Sequence, residues 1–249
     1  MISIRNLTLQ YGKGTTNVVT ALDNINLQFN KGEFVVVLGS NGSGKSTLLN
    51  SIAGVIKSPK GSVVIDGKDV SLSPVFERSA FVARVFQDPL AGTAAELSIL
   101  ENFRIASLRS KGKTFGIGLN KAFEERVYNW ISALEMGLEK RLRQTVGTLS
   151  GGQRQALTLM MMLMDTPKVL LMDEPTAALD PKSSVVLMEK ANALVKELGI
   201  TTILVTHNMK EAIQYGTRLI CMQEGRVIKD LNAKEKSSLT LNDLYGWFN

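Results

Sequence analysis

Phe34-Val-Val-Val-Leu-Gly-Ser-Asn-Gly-Ser-Gly-Lys-Ser-Thr47 decides how this chain is read. Phe34 to Leu38 is a short continuous apolar run, as a strand buried on both faces of a parallel sheet requires. A helical segment, Thr47 to Val55, follows it. Between them, Gly39-Ser40-Asn41-Gly42-Ser43-Gly44-Lys45-Ser46 fits the pattern G-x-x-x-x-G-K-[ST] in full. Glycines let the backbone curl so that several N–H groups point at one anion, and the helix start adds its dipole. Lys45 then places a cation on the β- and γ-phosphates of a nucleotide. Ser46 offers a hydroxyl to Mg²⁺, and Thr47 reaches the α-phosphate. The motif predicts a nucleoside triphosphate, but not what the nucleotide drives.

Outward from this loop, the N-terminal side reads as strands. Ile2, Ile4, Leu7 and Leu9 are spaced for one, with a break near Asn6, and Ile25, Leu27 and Phe29 alternate for another. Ser62 to Asp66 predicts an antiparallel strand turning at Gly67. Phe81 to Phe86 is a second candidate for the buried sheet. From Asp88 to about Asp165 the spacing is helical, at Glu96–Leu108, Lys121–Leu134 and Gly151–Met164. Alternation then resumes. Lys168–Met172 and Thr201–Thr206 are strands, Pro181–Leu198 and Asn208–Gln214 helices. Arg218–Met222 and Arg226–Leu231 form a hairpin around Glu224-Gly225. Leu239–Phe248 reads as a short amphipathic helix. Strand–helix alternation predicts an α/β fold with a mostly parallel sheet covered on both faces.

Composition narrows the chemistry. The 249 residues can bury a substantial core, and 44% hydrophobic with 21% charged residues is a globular composition. Cys221 is the one cysteine and His207 the one histidine, so no intrachain disulfide and no all-Cys/His zinc site can form. The longest apolar stretch, Leu159–Met164, is far short of the ~20 residues that span a bilayer. Met1 to Gln10 lacks the pattern of a secretion signal. These features predict a soluble protein of a reducing compartment. The net charge of +6 favours anionic partners without naming one.

Further motifs name the chemistry. Val169-Leu-Leu-Met-Asp-Glu174 is an apolar strand ending in two carboxylates, where strand ends meet a ligand crevice. Asp173 there suits Mg²⁺, and Glu174 can accept a proton from an attacking water. Leu149-Ser150-Gly151-Gly152-Gln153 opens a helix, so its N–H groups form a second anion site. This pentapeptide resembles the signature motif of the ABC ATPases. The resemblance runs from Tyr11 to at least Arg226, with the motifs in the family's order. The phosphate loop is at 39–46, a glutamine loop at Phe86-Gln-Asp-Pro89, and the signature at 149–153. The Asp-Glu strand is at 169–174, Ala178-Leu-Asp180 follows, and the histidine is at 207.

The resemblance implies a P-loop NTPase fold with an antiparallel β subdomain. It implies one ATP-binding domain over 1–249, with 88–165 an inserted helical subdomain carrying the signature. It implies a homodimer in the ATP-bound state, each ATP sandwiched between one copy's phosphate loop and the other copy's Ser150, Gly151, Gly152 and Gln153. Asp180 then communicates across the interface. Tyr11 stacks on adenine, although Gly12–Thr20 is looser than the family's usual spacing. Gln87 meets Mg²⁺ and the attacking water, beside a cleft for a helix of a membrane permease. His207 bonds the γ-phosphate and positions Glu174.

The resemblance further implies an ATPase subunit at the cytoplasmic face of a membrane, powering import with an extracytoplasmic solute-binding protein. Asp88 to Asn102 resembles ATPases that serve small organic solutes such as amino acids. An exporter ATPase and a cluster-assembly scaffold stay open as alternatives, and no nucleic-acid role is expected. Gln155 to Met164 departs from the family in being apolar and rich in methionine, which reads as a buried, adaptable helix. Arg104, Arg109, Lys111, Lys113 and Lys121 read as a basic patch, either a solvated face or one near anionic lipid. Cys221 reads as inert core.

Overall fold

The computed structural model describes residues 1–12, 14, 16–109 and 118–248. The chain begins with strands β1 (Ile2–Tyr11) and β2 (Val19–Phe29). These pair antiparallel, and β1 bends where Asn6 takes a φ of 49° and the register slips between Ile4 and Leu7. That is the break foreseen near Asn6. Strand β4 (Lys60–Ile65) adds to the other side of β1, and β5 (Lys68–Asp69) closes a four-stranded antiparallel sheet of order β2-β1-β4-β5. β3 (Phe34–Leu38) belongs to the second sheet, with β6 (Val82–Val85), β7 (Val169–Asp173), β8 (Thr201–Thr206), β9 (Arg218–Gln223) and β10 (Arg226–Leu231). Its order is β10-β9-β3-β8-β7-β6, parallel throughout except for β10.

β3 lies inside this sheet, and every one of its residues is buried. Because side chains alternate, it feeds two cores. Val35 and Val37 join Leu48, Leu49 and Ile52 of helix α1 (Lys45–Ala53), together with Ile2, Leu22 and Phe29 from the antiparallel sheet. Phe34, Val36 and Leu38 face the helices of the other layer. Each fully buried Val contributes about 1.5–3 kcal/mol, so the strand carrying the phosphate loop is among the best-anchored parts of the molecule.

Between β6 and β7, among the described residues, the chain forms helices and turns rather than sheet strands. They are α3 (Ile99–Ser107), α4 (Lys121–Ser132) and α5 (Gly151–Leu163), with 3₁₀ turns at Leu138–Arg141 and Val146–Thr148. α3 starts three residues later than the spacing suggests, because Ser98 and Glu101 form a capping box there. Met160, Met161 and Met164 of the methionine-rich stretch are buried, as the core reading expects. α6 (Pro181–Glu197) and α7 (Met209–Gln214) follow β7 and β8. The short helices α2 (Val75–Arg78) and α8 (Ala233–Ser237) were not foreseen, and α9 (Leu241–Phe248) was. No helix among the described residues is long and apolar enough to cross a membrane.

The basic patch is revised. Arg109 is drawn inward and donates from Nη2 to the Met162 carbonyl at 3.0 Å, and burial lowers its pKa. Arg104 lies over the Phe123 ring. Lys121 is exposed, while Lys111 and Lys113 lie outside the described residues. An arginine that donates to a backbone carbonyl is spent on structure, so among the described residues Arg109 is withdrawn from a solvated basic face.

Candidate active site

The phosphate loop leaves the buried end of β3 and turns directly into α1. The helix begins at Lys45, two residues before the position expected from apolar spacing. Gly44 caps it at a φ of 98°, a left-handed conformation. A Cβ on Gly44 would sit 2.4 Å from the Ala21 carbonyl oxygen, and one on Gly39 would sit 2.5 Å from that of Met222. Glycine is therefore required twice, once for conformation and approach, once for approach alone.

The loop bounds a cleft of about 540 Å³. Asn41, Gly42, Ser43, Gly44, Lys45, Ser46 and Thr47 line it, and so do Tyr11, Gln87, Glu174 and His207. Residues far apart in sequence are thus gathered around one space. Lys45 is 5% exposed and donates to the carbonyls of Gly39 at 2.8 Å and Ser40 at 2.9 Å. Burial lowers its pKa, and the negative charges of Glu174 and Asp173 oppose that shift. Tyr11 is 45% exposed on the cleft wall, leaving ring surface free to meet a flat base.

Asp173 ends β7. Its Oδ1 accepts from Ser46 Oγ at 3.0 Å, and its Oδ2 accepts from Arg84 Nη2 at 2.8 Å. Arg84 also donates to Asn50 Oδ1 and lies 4.7 Å over the Phe86 ring, one residue before Gln87. Arg84 went unrecognised in the sequence. Its signal was a charge inside the apolar run Phe81–Phe86, since a buried arginine needs a partner.

Glu174 follows with φ 45°, unusual for a residue with a side chain. Its N–H donates to the Val205 carbonyl at 2.9 Å, tying the end of β7 to the end of β8. That places Glu174 Oε2 3.0 Å from His207 Nδ1. A proton on Nδ1 lets the imidazole donate to the carboxylate. Glu174 is recessed while His207 is half exposed, so the imidazole reaches outward from the pair.

Ser150 caps α5 through a capping box with Gln153, presenting the free N–H groups of the helix start. Asp180 caps α6, its Oδ1 accepting from the N–H groups of Lys182 and Ser183. Neither the Ser150–Gln153 turn nor Asp180 lines the cleft of the phosphate loop. Gln155, two residues beyond the signature, was also missed. It is fully buried and donates from Nε2 to the carbonyls of Phe86 at 2.8 Å and Pro175 at 3.1 Å. One amide thus joins α5 to the residues before Gln87 and after Glu174.

A buried cation, two carboxylates at a strand end and an imidazole, gathered at one cleft with a phosphate loop, suit a nucleoside triphosphate. This is the arrangement of an ATP-binding cassette. The family described as ABC transporter matches residues 22–177, and the chain belongs to it. It is an ABC ATPase, which binds and hydrolyses ATP. It is 42% identical to the tyrosine transport ATP-binding protein of Clostridioides difficile (strain R20291), over 98% of this chain and 97% of that protein. It is 32% identical to the phosphonates import ATP-binding protein of Lactobacillus acidophilus, over 98% and 94%. Among solved structures, a dimeric cassette in a post-hydrolysis state bound to ADP and Pi superposes with a TM-score of 0.80. That match has 30% identity and covers 94% of this chain and 99% of the other.

Proposed function

We propose that this chain drives import of a small organic solute, of the amino-acid class that includes tyrosine, through membrane permease subunits. The single observation that carries the hydrolytic part is the Glu174–His207 pair, 3.0 Å apart in the cleft that Lys45 floors. The solute class rests on full-length similarity to a tyrosine transport ATP-binding protein. The import-type relatives support import over export or cluster assembly. The chain then works at the cytoplasmic face, with an extracytoplasmic solute-binding protein delivering the cargo.

In this reading Lys45 and the loop N–H groups hold the phosphates, and Tyr11 stacks on adenine. Ser46 Oγ, Gln87 and Asp173 are hard oxygen donors near one another, which fits Mg²⁺. When bound, the ion neutralises charge on the β- and γ-phosphates. Glu174 deprotonates the attacking water, and His207 bonds the γ-phosphate and positions Glu174 and the water. The helical segment 88–165 carries the signature to a second copy. There Ser150, Gly151, Gly152 and Gln153 stabilise transition-state charge, and Asp180 lies at the interface.

The test uses Glu174→Gln. This variant should bind ATP, hydrolyse it at least ~100-fold more slowly, and run as a dimer on size exclusion in saturating Mg-ATP. Unchanged hydrolysis would remove Glu174 from the reaction. For the cargo, cells lacking the chain should lose uptake of labelled tyrosine and regain it with the wild-type chain only. Uptake unaffected by its loss would overturn the assignment of the solute.

A further inference from the structure

A further carboxylate lies behind the catalytic pair, in no motif of the site. Glu211 of α7 is 8% exposed. Its Oε1 accepts from Thr176 Oγ1 at 2.7 Å, and its Oε2 accepts from Thr206 Oγ1 at 2.7 Å. Thr176 stands two residues after Glu174, and Thr206 stands immediately before His207. No ion pair with Glu211 forms among the described residues. Burying a carboxylate without a cation is costly, and a well-packed apolar residue would occupy the place more cheaply. What the carboxylate supplies instead is two short, charge-assisted bonds with fixed directions.

Both bonds land where position matters. The Thr206 hydroxyl, while donating to Glu211, accepts from the Asn208 N–H at 3.0 Å, so the backbone on either side of His207 is held. The loop from Glu174 to Thr176 is held by the Glu174 N–H on Val205 and by Gln155 on the Pro175 carbonyl. The Thr176 hydroxyl on Glu211 completes that set. A residue with a side chain persists at a φ of 45° only where its surroundings over-determine it.

We propose that Glu211 is a positioning residue, its carboxylate bridging Thr176 and Thr206 so that Glu174 and His207 meet at their working separation. The inference rests on the reading of Glu174 and His207 as the catalytic pair. Glu211 does not line the cleft of the phosphate loop. It acts by denying the two loops independent movement.

The test is ATP hydrolysis by the full chain with Mg-ATP, read as kcat, KM and ATP affinity, with single-turnover assays for slow variants. Glu211→Ala should lower kcat by roughly ten- to a hundredfold, the scale seen when the partner orienting a functional group is lost. ATP affinity should hold within about twofold, because the phosphate loop is untouched. Glu211→Gln, whose carbonyl still accepts and whose amide can donate to a turned hydroxyl, should recover most of the loss. In a His207→Ala background, Glu211→Ala should cost less than it does in the wild type, since one of the two residues it positions is gone. The proposal is overturned by unchanged kcat in folded Glu211→Ala, by parallel loss of affinity and kcat, or by full additivity with His207→Ala. Should Glu211→Ala not fold, Thr176→Val keeps the shape, removes one bridge, and must lower kcat alone. Wild-type turnover in His207→Ala would instead sink the catalytic-pair reading, whatever Glu211 does.

Discussion

Lys45 is held by the loop it serves. Its ammonium rests on the carbonyls of Gly39 and Ser40, which ties the start of the loop to the start of α1. Asp173 is set in a similar way, with one oxygen on Ser46 and the other on Arg84. Both members of the Arg84–Asp173 pair are at most 14% exposed. Removing one side leaves the other charge buried and uncompensated, which typically costs about 3–5 kcal/mol. Arg84→Met should therefore lower the urea unfolding free energy by an amount in that range, despite the good volume match. A loss below about 1 kcal/mol would mean that water reaches the carboxylate. Cys221 makes the opposite case of a buried group with no task. It is wholly inaccessible, and burial pushes its pKa up to about 12. An unfolded thiol titrates near pH ~8.5. The thiol's contribution to stability is therefore fully present below that pH and fades as pH rises toward 12. At pH 8 the native chain should not react with a thiol reagent until denaturant unfolds it. Prompt labelling of native protein would show that β9 opens locally.

At the scale of elements, the turns proposed to act at the interface are helix caps as well, which is why short polar residues stand there. Ser150 caps α5 and Asp180 caps α6, each bonding N–H groups that the helix start leaves free. Asp180 thus carries a fold role beside the one proposed at the interface, and two substitutions separate them. Asp180→Asn caps nearly as well and should leave stability within about 0.5 kcal/mol, whereas Asp180→Ala should lose about 1 kcal/mol. A drop in ATPase common to both would belong to the lost charge, not to the cap. Gly152 shows how tightly these turns pack, since a Cβ there would meet Ser183 Cβ and Oγ at 2.9 Å. The sheet strands and long helices were legible because their apolar spacing repeats within the element, and Thr201–Thr206 was delimited to the residue. α2 was not, because its cause is remote. Its buried Arg78 reaches back to the Ser51 and Ile52 carbonyls that end α1. The cleft was legible where a motif names the residue. Arg84, Gln155 and Glu211 were not, because each acts through a partner 35 to 89 positions away. Arg109 misled for the same reason, its partner being the Met162 carbonyl.

At the scale of the whole molecule, one chain carries the phosphate loop and the Ser150–Gln153 turn, and of these two the phosphate loop lines the cleft. In the proposed dimer, a chain that binds one nucleotide with its phosphate loop leaves its signature turn for the other copy. Two copies related by a two-fold axis then satisfy both turns twice over. This arrangement has a consequence that a mixture of two defective chains can test. Lys45→Ala spoils the phosphate loop and keeps the signature. Gly151→Asp does the reverse. A Cβ at Gly151 would find only ordinary contacts, with Leu179 Cδ2 at 3.7 Å and the Ala178 oxygen at 3.8 Å, so the fold should tolerate it. The added carboxylate would repel phosphate from the turn. Each variant alone has a defect in both of its sites. In a mixed dimer, one site collects both defects and the other collects none. Mixed one to one with free exchange, about half of the dimers are hybrids, so about a quarter of all sites are intact. ATPase in the mixture should rise toward that fraction of wild type, well above the sum of the separate variants. Activity no greater than that sum would mean that each chain completes its own site, and that the signature turn does not work across an interface.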